Sequence, residues 1–221
     1  MLAPLDERGE RLIEDVSRVF FSRGIRSVSM DDLARELGIS KKTIYVYVKN
    51  KDDLVTKVLM RLSDRFNAQI DGIQAQGLNA VDEMYAIAQF IAGETMKWHP
   101  SLNYDLAKYH PDACRIADQG KEVEIVEKVA RNMEKGVREG LYRPDIDVSL
   151  LSKLYVVRFD RAMGDQVAGL LQHRTMAEIN WELFRYHIHG IASKKGVDYL
   201  EKKLAKAQHV PPSPGATAQN A

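Results

Sequence analysis

Between Pro4 and Pro100 the chain holds no proline, and the internal prolines that follow (Pro100, Pro111, Pro144) each fall between segments of helical periodicity. Proline inside a helix removes a hydrogen-bond donor and clashes with the preceding turn, so it collects at helix starts and ends. Apolar residues recur at three- and four-residue spacing, and no run sustains the period-two alternation of a half-buried strand. These features predict an all-α fold.

The first part of the chain divides into four helices. Leu12, Ile13, Val16, Val19 and Phe20 make one apolar face that stops at Gly24. Ser29-Met-Asp-Asp32 resembles a capping box and leads into Leu33, Ala34 and Leu37, and Gly38 supplies a short turn. Ser40 caps a brief third helix with Ile44 and Val48 pointing inward, and Asn50 caps a fourth that runs through Phe66. Beyond residue 67 the spacing predicts long helices over 81–97, 111–137, 148–171 and 176–193 and shorter ones over 101–109 and 198–208. The tail VPPSPGATAQNA carries no charge and three of the seven prolines, and is expected to be disordered. The expected division is one unit over 6–66, a second over 67–209, and the tail 210–221.

At 221 residues, 45% apolar and 29% charged, the chain has the composition of an ordinary globular protein with a sizeable core. The net charge of +1 says nothing about partners, but residues 38–51 hold Lys41, Lys42, Lys49 and Lys51 and no acid. A lone cysteine, Cys114, forbids an intrachain disulfide and fits a reducing compartment. No run approaches the roughly 18 apolar residues of a membrane span, and MLAPLDERGERL is too acidic and polar for a signal peptide. A cytoplasmic protein without a membrane partner is expected.

The lysines pose a puzzle. Lys41 and Lys42 open one helix and Lys51 opens the next, although helix N-termini carry a partial positive charge that disfavours cations. Two ordinary solvated starts are one explanation; an anionic partner held against both is the other. Two short helices joined around Gly38 make a helix-turn-helix, whose second helix lies in the DNA major groove. With Ile44 and Val48 turned inward, Lys41, Lys42, Thr43, Tyr45, Val46 and Tyr47 remain for the outside, and their side-chain types suit phosphates and base edges.

Residues 20–54, FFSRGIRSVSMDDLARELGISKKTIYVYVKNKDDL, carry in order an aromatic-plus-Gly end of helix one, LA-x-x-x-G-x-S, IY-x-Y and N-K-x-x-L. In these the chain resembles the DNA-binding domain of the tetracycline-repressor (TetR) family of bacterial transcription regulators over residues 6–66. The resemblance implies that Ser29, Ser40, Lys41, Lys42, Thr43, Tyr45, Tyr47 and Lys51 are DNA contacts. Val46 stands where members often carry histidine or another polar residue, and Val48 where phenylalanine is usual. The segments YHPDACRIAD, GVREGLYRPDID and FRYHIHGIASKKG resemble the regulatory domain of a Bacteroidetes-type subgroup. The family implies a homodimer formed by the last two long helices. It also implies a palindromic double-stranded operator with half-sites about 34–36 Å apart, and a small-molecule effector whose entry shifts helix 51–66 and releases DNA.

Helices 148–171 and 175–193 are themselves too apolar for a monomer surface: Leu150, Leu151, Leu154, Val167, Leu170, Leu171, Ile179, Leu183, Ile188 and Ile191 cannot all face one bundle. Candidate effector contacts are Phe90, Trp98, Tyr104, Tyr109, Tyr155, Arg158 and Phe159, with plain core packing the competing role for each aromatic. Arg158 sits in an apolar stripe and needs either a counter-charge, such as Asp160 or Asp165, or an anionic ligand. Catalysis is not supported. Cys114 and His110 lack an activating motif, His187 and His189 lie two apart and point to different faces, and no Gly-rich phosphate loop is present. No cofactor or metal is expected. The alternative reading is a helical small-molecule enzyme with an incidental helix-turn-helix.

Overall fold

A computed structural model of the protein describes residues 5–118, 121–163 and 174–207, with the side chains of all of these except 118, 158–163 and 207. Among the described residues there are eleven helices and no strand, only an isolated antiparallel bridge between Tyr142 and Ala192. The helices are α1 (Glu7–Arg23), α2 (Met30–Glu36), α3 (Lys41–Tyr47), α4 (Lys51–Gln74), α5 (Ala80–Thr95), α6 (Leu102–Tyr109), α7 (Pro111–Asp118), α8 (Lys121–Arg138), α9 (Val148–Met163), α10 (Met176–Ile191) and α11 (Lys194–Ala207). The tail 210–221 and the residues Asp165, Val167, Leu170 and Leu171 lie outside the described residues.

Side-chain caps set the first four starts. Asp6 Oδ1 accepts from Gly9 N at 2.8 Å, and Ser29 and Asp32 form a reciprocal capping box. Ser40 Oγ accepts from Thr43 N at 3.0 Å and Asn50 Oδ1 from Asp53 N at 2.9 Å. Each satisfies a backbone N–H that the helix itself leaves orphaned. The chain leaves α1 through Gly24, whose φ of 81° lies in the region that side-chain-bearing residues avoid.

Two apolar cores result. The first gathers the α1 stripe with Ile25, Val28, Leu33, Ile44, Val48, Leu54, Val55 and Val58, and also takes Leu102 of α6 and Ala113 of α7. The second is built by α5, α8 and α10, with Met84, Tyr85, Met133, Tyr142, Phe184, Ile188 and Leu200 at its centre. Helix α4 continues without a break past position 66 to Gln74, a 24-residue rod about 36 Å long. Helix α4 thus runs across the expected boundary between 66 and 67, and α6 and α7 share a core with the N-terminal helices.

Of the helix expected over 111–137, the described residues form α7 and α8, with 119–120 outside the description; α7 packs along α4 and α8 against α5 and α9. The last helix begins at Lys194 rather than Asp198, because Ser193 Oγ accepts from Gly196 N at 3.2 Å and caps it.

Candidate nucleic-acid interface

Helix α3 has seven residues, too few to persist alone in water. It is held by Ile44, fully buried, and Val48 at its end, as their spacing predicts. The opposite face is open: Lys41, Lys42, Thr43, Tyr45 and Val46 are all exposed, Val46 to 71%. Behind it, the Lys57 ammonium donates to the Tyr47 carbonyl at 2.6 Å and lies 3.1 Å from Asp53 Oδ2, tying the end of α3 to α4. Lys57 was not singled out from sequence, where nothing local distinguishes it from a solvated lysine.

The eight sequence-derived contact residues fall into three groups. Lys42, Thr43 and Tyr45 are exposed on α3. Lys41 is exposed too, but its Nζ donates to Asp31 Oδ2 of α2 at 3.0 Å, and this bond is the main reason its pKa is raised. Such a surface pair is weak and exchangeable for a phosphate. Ser29 and Ser40 are exposed caps whose hydroxyls are engaged locally; Ser29 Oγ lies 2.6 Å from Asp32 Oδ2 and is the first cause holding that carboxyl below its usual range.

Tyr47 and Lys51 are placed otherwise. The Tyr47 ring lies over α1 at Gly9, where an added Cβ would come within 2.8 Å of its Cδ1. Gly9 is thus a close-approach position. The Lys51 ammonium turns inward, donating to the Ile25 carbonyl at 2.6 Å and lying 6.0 Å from the centre of the Phe20 ring. Burial lowers its pKa, against the pull of Asp105, Asp52 and Asp32. For Lys51 the anion at the helix start is replaced by a carbonyl, so this lysine fastens the fold.

A polar cluster unforeseen from sequence joins the loop after α1 to the helices beyond α5. Asp105, 4% exposed, accepts from Arg26 N at 3.0 Å and from Ser101 Oγ at 3.2 Å. His99 N donates to the Phe21 carbonyl at 2.6 Å, and His110 Nδ1 lies 2.7 Å from Asp52 Oδ1 in the first turn of α4. These partners are 58 to 79 positions apart in sequence for Asp52–His110 and Arg26–Asp105, beyond the reach of any local pattern.

The expected effector residues do not converge. Phe90 and Trp98 meet Phe66 (ring centres 5.0 and 6.4 Å apart), and Trp98 stacks on Phe21 at 5.6 Å, so they mortar α1, α4 and α5 together. Tyr104 and Tyr109 pack on each other at 6.3 Å at the surface, with the Arg26 guanidinium 4.9 Å from the Tyr109 ring. Tyr155 rests on His187 at 4.3 Å beside the second core. Arg158 and Phe159 lie on α9, but their side chains are outside those described. Three separate places replace the single aromatic cavity. No group of His, Cys, Asp and Glu among the described residues could hold a metal ion, and no described helix is long and apolar enough to cross a membrane.

Residues 12–58 match the family described as bacterial regulatory proteins, tetR family. The repressor KstR2 of Mycobacterium tuberculosis, an HTH-type transcriptional repressor, is 28% identical over 152 residues, which cover 65% of this chain and 73% of that one. A transcriptional regulator of Cytophaga hutchinsonii superposes with a TM-score of 0.65 at 16% identity, covering 85% of this chain and 100% of the other. The regulatory protein TetR of Rhodobacter sphaeroides superposes with a TM-score of 0.63 at 16% identity, covering 82% and 97%. The family match spans α1 to the first part of α4, so the N-terminal helices of this chain carry a helix-turn-helix similar to that of the tetR family.

Proposed function

We propose that the chain is a homodimeric, effector-responsive repressor that reads a two-fold symmetric operator through α3. The observation that carries this reading is the division of α3 into a buried side, Ile44 and Val48, and an exposed side bearing Lys41, Lys42, Thr43 and Tyr45. An isolated seven-residue helix with two lysines in its first turn is unfavourable by itself; beside a phosphodiester backbone its charges and helix start are favourable together. Lys41 and Lys42 supply phosphate or guanine contacts, Thr43 a base or thymine-methyl contact, and Tyr45 a phosphate hydrogen bond. Ser29 and Ser40 stand at neighbouring helix starts, where backbone N–H groups can meet phosphate.

Dimerisation is supported by a stripe on α9. Leu150, Leu154 and Val157, at four- and three-residue spacing, are 52, 50 and 51% exposed, and Tyr186 on α10 is 72% exposed. Ile179 and Leu183 are half-buried, whereas Ile188 and Ile191 belong to the second core and are not available to a partner. A second copy is the natural cover for such a stripe, and its two-fold axis matches a palindrome. A small-molecule effector acts on the helices beyond α4 and alters the setting of α3 through α4, whose single rod starts in the first core and also packs against α5.

The test is enrichment of duplexes from a random pool by the full chain, followed by affinity against salt. A palindromic consensus bound by a dimer is expected, with Lys42→Ala flattening the salt slope by about 0.9 per subunit. Sedimentation as a stable monomer at micromolar concentration, or no enrichment at low salt, overturns the reading.

A further inference from the structure

Three lysines of α8, Lys121, Lys128 and Lys135, follow one another at intervals of seven and so share one helix face. On α4, Asp64 and Asp71 are also seven apart, with Gln74 one turn further on. The two rows meet. Lys121 Nζ lies 2.6 Å from Asp64 Oδ1, and Lys128 Nζ lies 2.8 Å from both Asp71 Oδ1 and Glu124 Oε1. Lys135 Nζ lies 2.9 Å from Glu83 Oε2 of α5, whose other oxygen accepts from Gln74 Nε2 at 3.3 Å and from Asn132 Nδ2 at 2.9 Å.

These are not loose surface pairs. The Lys128 side chain is only 7% exposed and that of Glu83 only 4%, and the stems of Lys121 and Lys135 are mostly covered. Burial works against the charge of Lys128, but Asp71 and Glu124 outweigh it, and its pKa is raised overall. The backbones of α4 and α8 scarcely approach each other, so the lysine stems span the gap that packing leaves. All three rungs bear on the distal half of α4, beyond Val58, the last α4 residue buried in the first core.

We propose that this ladder is a latch, fixing the distal half of α4 to α8 and thereby setting the position of the DNA-reading helix at the other end of the rod. The proposal rests on the regulator reading for its second half. On its α5 side the distal half of α4 is held by the Phe66–Phe90 contact, and on its α8 side by ionic rungs across a gap, which can be released in steps because each rung breaks without opening an apolar core. Helix α8 packs against α5 and α9, so a displacement of α8 within the bundle reaches α4 through the rungs. With the latch intact α3 is preorganised; with it open, DNA binding must order α4 as well, and affinity falls.

The test uses the full chain and two readouts, amide hydrogen exchange over residues 64–74 and affinity for the duplex that the wild-type chain enriches from a random pool. Lys128→Met keeps the apolar stem and removes the middle rung. It is expected to speed exchange over 64–74 at least tenfold, leave residues 12–58 within twofold, and weaken duplex binding at least fivefold. Lys121→Asp should move both readouts in the same direction, and adding Asp64→Lys should restore them, since the reversed pair remakes the outer rung. Unchanged exchange over 64–74 in Lys128→Met and Lys121→Asp overturns the latch. Faster exchange with unchanged duplex affinity overturns its control of the reading helix. If the wild-type chain enriches no duplex, the regulator reading has failed, and exchange alone decides whether the ladder holds α4.

Discussion

Replacing Lys51 with alanine separates two roles for a lysine at a helix start. In the structure its ammonium donates to the Ile25 carbonyl at 2.6 Å and sits at the edge of cation–π range of Phe20. Losing a hydrogen bond from a charged donor costs about 1.5–3 kcal/mol. Removing a cation from a helix N-terminus returns about 0.3–1 kcal/mol, and freeing a lysine side chain returns up to about 2 kcal/mol of rotamer entropy, only part of which is recovered because the stem is half-buried. The net expectation is a destabilisation of roughly 1–2 kcal/mol, or about 2–8 °C in Tm for a chain of this size. Lys51→Met retains the apolar stem and should lose somewhat less. Calorimetry gives Tm, and fluorescence anisotropy on the enriched duplex gives the salt slope. Lys51→Ala should lower Tm and leave the slope unchanged, while Lys42→Ala should do the reverse. If Lys51→Ala flattens the slope by about 0.9 per subunit with an unchanged Tm, the ammonium faces phosphate and the inward assignment is wrong.

Gly136→Ala should be severely destabilising, because its Cβ would stand 2.0 Å from Tyr142 Cδ2 and 2.4 Å from Cε2, so the buried ring must move; overpacking of this kind costs at least about 1–3 kcal/mol, readable as a lower denaturant midpoint. Tyr142→Phe removes a hydroxyl lying 3.1 Å from both the Ala80 carbonyl and Asn132 Oδ1, and should cost about 1–3 kcal/mol in chemical denaturation. Burial pushes the Tyr142 phenol well up, so unfolding releases a proton once the pH passes about 10, and wild-type stability should fall there more steeply than that of the phenylalanine variant. Burial raises the Asp82 pKa, but Lys203, Tyr199 and Asn79 overcome it and the net shift is downward. Its stabilisation is therefore present above the ordinary aspartate value of about 3.9 and is lost as pH falls through the lower folded value, and Asp82→Asn should flatten the Tm profile below about pH 4.

Features that a single helix decides follow from its own residues. The caps at Ser29, Ser40 and Asn50 occur where the sequence places them, since a capping side chain reaches only to its own first turn. Ile44 and Val48 face inward because a four-residue interval on a helix returns to one side. The all-α class follows from the same short-range rules. The family resemblance over the N-terminal helices belongs with them, being a matter of ordered local motifs matched over residues 12–58.

The placement of aromatic and charged side chains was not legible in that way. Phe90, Trp98, Tyr104, Tyr109 and Tyr155 are equally suited to a ligand cavity by type, yet they serve three different junctions. Lys51 differs from Lys42 only in which carbonyl stands within reach of its ammonium, and that carbonyl belongs to Ile25, 26 positions away. The helical class, the starts of the first four helices and the apolar face of α3 are written in the chain itself, because they follow from hydrogen bonds and periodicity within a few residues. That α6 and α7 join the first core, that Lys51 turns inward, and that Lys121 and Lys128 of α8 meet Asp64 and Asp71 on the far half of α4 are set by tertiary packing. Such contacts depend on how whole helices are set against one another, and no residue's own neighbours in the chain carry that information.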